Sequence, residues 1–104
     1  MAVSTIKGDI RREQAVYGEY CNVKRIGNVV EVWGYASDYS IGRSYTNLPT
    51  LPQWCRPSHV VRGTGNSIGG NNEVLVNVTT GGIVQLYASA TTTFWEYDIT
   101  YLVD

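Results

Sequence analysis

The chain has 104 residues, a length that holds one core and not two. Thirteen Val and ten Thr stand against five Leu and two Lys, and with eleven Gly the composition favours strands and turns over helices. A formal net charge of −1 argues against the clustered basic face that nucleic acid requires, no run approaches the roughly 18 apolar residues of a membrane span, and the N-terminus lacks the apolar stretch of a secretory signal. The expectation is an all-β protein made in a cytoplasm without a signal peptide, with neither nucleic acid nor membrane as a partner.

Residues 1 to 13 show no sustained period and carry the adjacent Arg11 and Arg12, so they read as a linker or the stub of a neck, with a β-domain over residues 14 to 104. Residues 15 to 20 alternate as a short strand, and 21 to 25 continue it. After the turn Ile26-Gly27-Asn28 comes VVEVWGYA, where Val30, Val32 and Gly34 share one face and Val29, Glu31, Trp33 and Tyr35 the other. These two segments form a hairpin. Residues 37 to 57 hold all three prolines and read as a crossing loop, with Trp54 as a lid over one end of the core.

A strand resumes over residues 58 to 62, and GTGNSIGGNN, four of whose ten residues are Gly, reads as a flexible loop. The strongest signal follows in residues 72 to 90, two β-branched and aromatic runs joined by Thr-Thr-Gly-Gly. Val74, Val76 and Val78 fall on one face with Leu75 and Asn77 on the other, and Gly81 and Gly82 can supply the positive φ angles of a tight reversal. Apolar residues on both faces place this hairpin inside a sheet. The last segment, FWEYDITYLV, puts Trp95, Tyr97, Ile99, Tyr101 and Val103 on one face and Phe94, Glu96, Asp98, Thr100 and Leu102 on the other; running to the last residues, it reads as an end of the chain tied into the sheet. Six to seven antiparallel strands with frequent turns indicate a small Greek-key β-barrel or sandwich.

The chemistry of catalysis finds no anchor. Ser58 and His59 are adjacent on the expected strand and would point to opposite faces, which denies the serine its base. Metal ligands are not clustered, and the Gly-rich segments follow no P-loop or dinucleotide spacing, so neither a metal nor a cofactor is expected. Glu96 and Asp98 share a strand face, the arrangement two glycosidase carboxylates would need, but a solvated outer face is the better account of them. Asn77-Val78-Thr79 matches a glycosylation sequon, which lacks the secretory context it needs. Cys21 and Cys55 read as buried free thiols, the alternative being a disulfide between them. What remains is an aromatic bias, three Trp and eight Tyr against one Phe, which suits surfaces that stack on sugar rings or join subunits.

The order VKRIGNVVEVWG, LPTLPQWCRPSHVV, a Gly/Asn loop, EVLVNVTTGGIVQLY and a closing TYLVD resembles the C-terminal head domain of receptor-binding proteins of tailed phages of Gram-positive bacteria, the lactococcal siphophage type in particular, over roughly residues 15 to 104. The resemblance rests on Pro52-Gln53-Trp54-Cys55 followed by Pro57, on the Gly-turn hairpin and on the short polar C-terminus. It implies a trimer at the tail tip or baseplate of a virion that grips host cell-wall saccharide near its inter-subunit clefts and contacts other tail proteins. In that family a His and an Asp before the Gly turn, an aromatic after it and an Arg near the C-terminus help hold the sugar. The corresponding residues here are Leu75 and Asn77, then Gln85 and Tyr87, then Trp95 and Glu96, so the family's His, Asp and Arg do not carry over.

The sequence-based expectation is thus a non-enzymatic receptor-binding head with Arg62, Asn77, Gln85, Tyr87 and Trp95 as ligand contacts. A structural virion or tail protein-interaction module, a monomeric carbohydrate-binding module, and a glycan-active enzyme built on Glu96 and Asp98 are the alternatives.

Overall fold

The computed structural model describes residues 13–70 and 72–103; residues 1 to 12 of the expected linker, and Asn71 and Asp104, lie outside them. Eight strands form: β1 (Glu13–Tyr17), β2 (Asn22–Ile26), β3 (Val29–Ala36), β4 (Thr46–Asn47), β5 (Val61–Ser67), β6 (Glu73–Val78), β7 (Val84–Ala88) and β8 (Trp95–Leu102). They make one antiparallel sheet in the order β1-β2-β3-β8-β5-β6-β7-β4, curled into a half-barrel. Strand β8 returns to lie beside β5, so β8-β5-β6-β7 is a Greek key, as the sequence suggested. All the described strands belong to this one sheet. The only helical piece among the described residues is a short 3-10 turn, Gln53–Cys55.

The period-two readings hold. Val30, Val32 and Ala36 of β3, Val74, Val76 and Val78 of β6, Val84, Leu86 and Ala88 of β7, and Trp95, Tyr97, Ile99 and Tyr101 of β8 are all buried on the concave side. Leu48, Leu51 and Cys55 from the Pro-rich segment close one end of this core, with Trp54 half-buried against it. That segment is docked by hydrogen bonds: Tyr101 donates to the Cys55 carbonyl at 2.6 Å, Arg25 donates to the Trp54 carbonyl, and the Leu51 amide donates to the Gly82 carbonyl at 2.8 Å. The lid is therefore real, though Leu48, Leu51 and Cys55 fill more of the core than the tryptophan does.

Four local readings change. Residues 15 to 25 are two strands, not one, because the chain reverses at Gly18, whose amide donates to the Cys21 carbonyl at 3.1 Å. Glu13, placed in the linker, opens β1. Thr46 and Asn47, read as loop, pair with Leu86 and Gln85 at the sheet edge. Of the two turn glycines only Gly82, at φ 83°, takes a positive φ.

The largest correction concerns GTGNS, which is the body of β5 and not a flexible loop. Its alternation is small residue inward and polar residue outward: Gly63 and Gly65 face the core, Arg62, Thr64 and Asn66 face solvent. The glycines are there because β8 needs the space. A Cβ on Gly65 would sit 3.1 Å from the Cβ of Tyr97, and one on Gly63 would sit 3.1 Å from Ile99 Cδ1. Gly34 stands on the other side of Tyr97 in register, and a Cβ there would overlap the Tyr20 carbonyl oxygen and come within 2.7 Å of the Tyr97 ring.

Replacing Gly34 by Ala should therefore overpack a site walled by backbone and cost about 1–3 kcal/mol. Gly42→Ala, whose added methyl meets nothing closer than 3.6 Å, should stay within about 0.5 kcal/mol of the parent when both variants are compared by urea titration.

Candidate functional site

The outer side of the sheet inherits the second half of each alternating pattern. Where β3, β8 and β5 lie side by side, Gly34, Tyr97 and Gly65 are in register and turn their side chains, or the lack of one, inward. Their backbone is the floor of a slot. One step along, Tyr35, Glu96 and Asn66 are in register and point outward as one wall. One step the other way, Trp33 pairs with Asp98, and Thr64 completes the second wall. The space between encloses about 400 Å³.

Each wall thus carries one aromatic ring, one carboxylate and one neutral hydrogen-bonding group, and the walls are two residues apart, about 6–7 Å along the strands. The rings are braced from outside the slot. Tyr17 meets Trp33 edge-on at 6.2 Å between centroids, and Phe94 meets Tyr35 edge-on at 5.8 Å. Bracing lowers the entropy lost when a ligand fixes a ring.

Asp98 has a second relationship. Its carboxyl hydrogen-bonds that of Glu31 on β3; this bond first, then desolvation and the Asp98 charge, raises the Glu31 pKa above its ordinary value, against the opposing pull of Lys24. Glu31 thus binds its proton more tightly folded than unfolded. The stability this brings is fully present below the unfolded pKa of about 4.5 and is lost as pH rises through the raised folded value.

The residues singled out from sequence divide. Arg62, Asn77 and Gln85 form one cross-strand row over β5, β6 and β7, and Tyr87 lies one outward position further along β7, its ring 5.9 Å from that of Tyr45. Four of the five therefore share the outer face with the slot. Asn77 is only 8% exposed and offers little surface to a ligand.

Trp95 does not belong to this site. It is 0% exposed on the concave side, stacked with Tyr97 at 6.0 Å, and its Nε1 donates to the Tyr39 carbonyl at 2.7 Å. The i, i+2 rule that buries Tyr97 and Ile99 buries Trp95 with them, so its ring is closed to a ligand.

Sequence reasoning missed Trp33, Tyr35, Thr64 and Asn66 as site residues. The outward positions of Trp33 and Tyr35 were legible; the β3-β8-β5 adjacency that gathers them was not, because it joins segments far apart in the chain.

The expectation for Ser58 and His59 also changes. They sit in a bend before β5, and Ser58 Oγ lies 3.2 Å from His59 Nδ1. Both are exposed. The two cysteines are free thiols. Burial, followed by the influence of Cys21, pushes the Cys55 thiol up to about 11, and burial raises that of Cys21 against a hydrogen bond with Tyr97.

A larger hollow of about 610 Å³ lies between the β1–β2 turn and the segment from Asn47 to Pro52, where Val16, Val23, Leu48 and Leu51 make it mainly apolar. It is the gap left where the two ends of the sheet do not pair. Among the described residues no group of three or more His, Cys, Asp or Glu could hold a metal ion, and no helix is long and apolar enough to cross a membrane. Comparison with known proteins returns no matching family model and no matching curated sequence.

Glu31→Gln should raise the thermal unfolding midpoint near neutral pH, where the parent keeps a strained carboxylate pair, and leave it unchanged below about pH 4.5, where the parent carboxyl is already protonated. Melting curves across that range check the sign.

Proposed function

We propose that this chain is a receptor-binding head of the type found on tailed phages of Gram-positive bacteria, a non-enzymatic module that binds host cell-surface saccharide through the outer face of its sheet. The observation that carries the reading is the slot over Gly34, Tyr97 and Gly65. A saccharide needs apolar faces to stack its C–H groups on and fixed polar groups for its hydroxyls; Trp33 and Tyr35 offer the first, and Thr64, Asn66, Glu96 and Asp98 the second. The adjoining row of Arg62 and Gln85, with Tyr87, extends the same face and suits a second sugar unit.

Binding is favoured over hydrolysis by the setting of the carboxylates. Glu96 and Asp98 are both exposed, whereas a general-acid carboxyl depends on an apolar pocket to hold its proton. A single open slot gives micromolar to millimolar affinity, roughly 4 to 8 kcal/mol, and useful strength comes from several copies acting together.

A trimer would supply those copies. Its support is an apolar row on the outer face, Ile26, Val29 and Leu102, in register with one another and exposed, Leu102 by 73%. The second reading, a virion protein-interaction module, is favoured by the hollow beside β1 and β4, whose mainly apolar lining suits an apolar side chain of another tail protein.

Tyr35, 53% exposed, separates binding from folding. In co-sedimentation with a panel of purified Gram-positive cell walls, Tyr35→Ala should lose most of the bound fraction while its unfolding midpoint stays within about 0.5 kcal/mol of the parent. Trp95→Ala should instead cost about 3–5 kcal/mol of stability, as a fully buried ring does. Retention of wall binding by Tyr35→Ala would remove the slot from the interaction.

A further inference from the structure

The slot has a charge that the aromatic and hydroxyl-binding groups alone do not require. Its two walls carry Glu96 and Asp98, both acidic, and among the described residues no Lys, Arg or His lines it. A neutral sugar would be served by amides and hydroxyls. An acidic one, bearing phosphate or a uronic carboxyl, would be repelled by two carboxylates on either side of a space only about 6–7 Å across.

A cation in the same space meets the opposite situation. It lies between two carboxylates and beside two rings, Trp33 and Tyr35, whose faces attract positive charge. The two rings are held by Tyr17 and Phe94, and the floor is backbone over Gly34 and Gly65, so an ammonium group can sink to the sheet without meeting a side chain there. Arg62, the basic residue of the neighbouring row, faces outward from β5 beyond Thr64, one outward position past the slot wall. The outer face then has an acidic station and a basic one side by side.

We propose that the slot recognises a saccharide unit carrying a free ammonium group, such as an unacetylated amino sugar, with the ammonium between Glu96 and Asp98 and the sugar ring against Trp33 and Tyr35. This rests on the saccharide-binding reading given above and adds the chemical class of the sugar. The attraction is electrostatic at an open site, so it weakens as salt rises.

The test compares three probes of similar length by calorimetry in mildly acidic buffer: the β-1,4-linked glucosamine tetramer, its fully N-acetylated counterpart, and tetralysine. The glucosamine tetramer should bind at least about tenfold more tightly than the other two, a difference of about 1.4 kcal/mol. Glu96→Gln should abolish that preference without changing the unfolding midpoint; Asp98→Asn should abolish it too but shift the midpoint, because Asp98 also bonds Glu31.

Equal or tighter binding of the N-acetylated tetramer would overturn the ammonium assignment and leave saccharide binding standing. Equal binding of tetralysine would overturn the sugar half of the assignment. Failure of all three probes would overturn it entirely, whatever the cell-wall sedimentation returns.

Discussion

The fold turns on one close approach. Tyr97 of β8 carries a phenol ring into the concave side between two strands that have no Cβ to give it, Gly34 of β3 and Gly65 of β5. Its hydroxyl donates to the Tyr20 carbonyl at 2.9 Å, tying the strand pair β3 and β8 to the turn between β1 and β2. Burial holds that phenol far above its ordinary pKa, so it stays a donor at any pH the protein meets. Trp95, Tyr20 and Tyr39 then pack around it, and the three-strand centre of the sheet is set.

The outer face follows from the same constraint. Because residues on a strand alternate, two glycines facing inward on either side of Tyr97 fix four outward neighbours, Trp33 and Tyr35 on one strand and Thr64 and Asn66 on the other, with Glu96 and Asp98 between them. The slot is the outward complement of an inward packing solution. Moving β3 by one residue would bury Trp33, moving β8 would bury Asp98 and expose Tyr97, and moving β5 would turn Thr64 and Asn66 inward, so the slot and the core share one register. The proposed binding of a charged, ring-shaped ligand thereby costs little reorganisation, since core packing already fixes the strands that carry both walls.

Much of this was legible in the sequence where the signal is local. The faces of residues 29 to 36, 74 to 78 and 94 to 103 follow from period two, and each hydrophobic set is found buried as read. The Pro-rich segment as a lid also follows, since prolines cannot join the ladder and the apolar residues among them must still find a core. What misled was glycine. Gly63 and Gly65 read as flexibility because nothing local shows that Ile99 and Tyr97 will press against them; their function is to be absent, and only a partner some 30 residues away reveals it. The short β4 was invisible for a related reason, as two residues at a sheet edge carry no period.

For the candidate site, four of the five residues singled out from sequence share the face that carries the slot, while most of the slot's own lining was not singled out. Arg62, Gln85 and Tyr87 lie outward, Asn77 shares their face but is 8% exposed, and Trp95, offered as a ligand contact, is buried with Tyr97 as its own strand pattern requires. The β8 strand inserts between β3 and β5, and that Greek-key adjacency, which brings Trp33 within reach of Thr64, has no local signature.

Amide chemical-shift mapping of the labelled chain during titration with solubilised Gram-positive wall polysaccharide tests the central claim most directly, that the outer slot is where the protein meets its ligand. The largest shifts should fall on residues 33 to 35, 64 to 66 and 96 to 98. Shifts concentrated instead around Val16, Leu48 and Leu51, at the apolar hollow, or no shifts on the outer face, would contradict it.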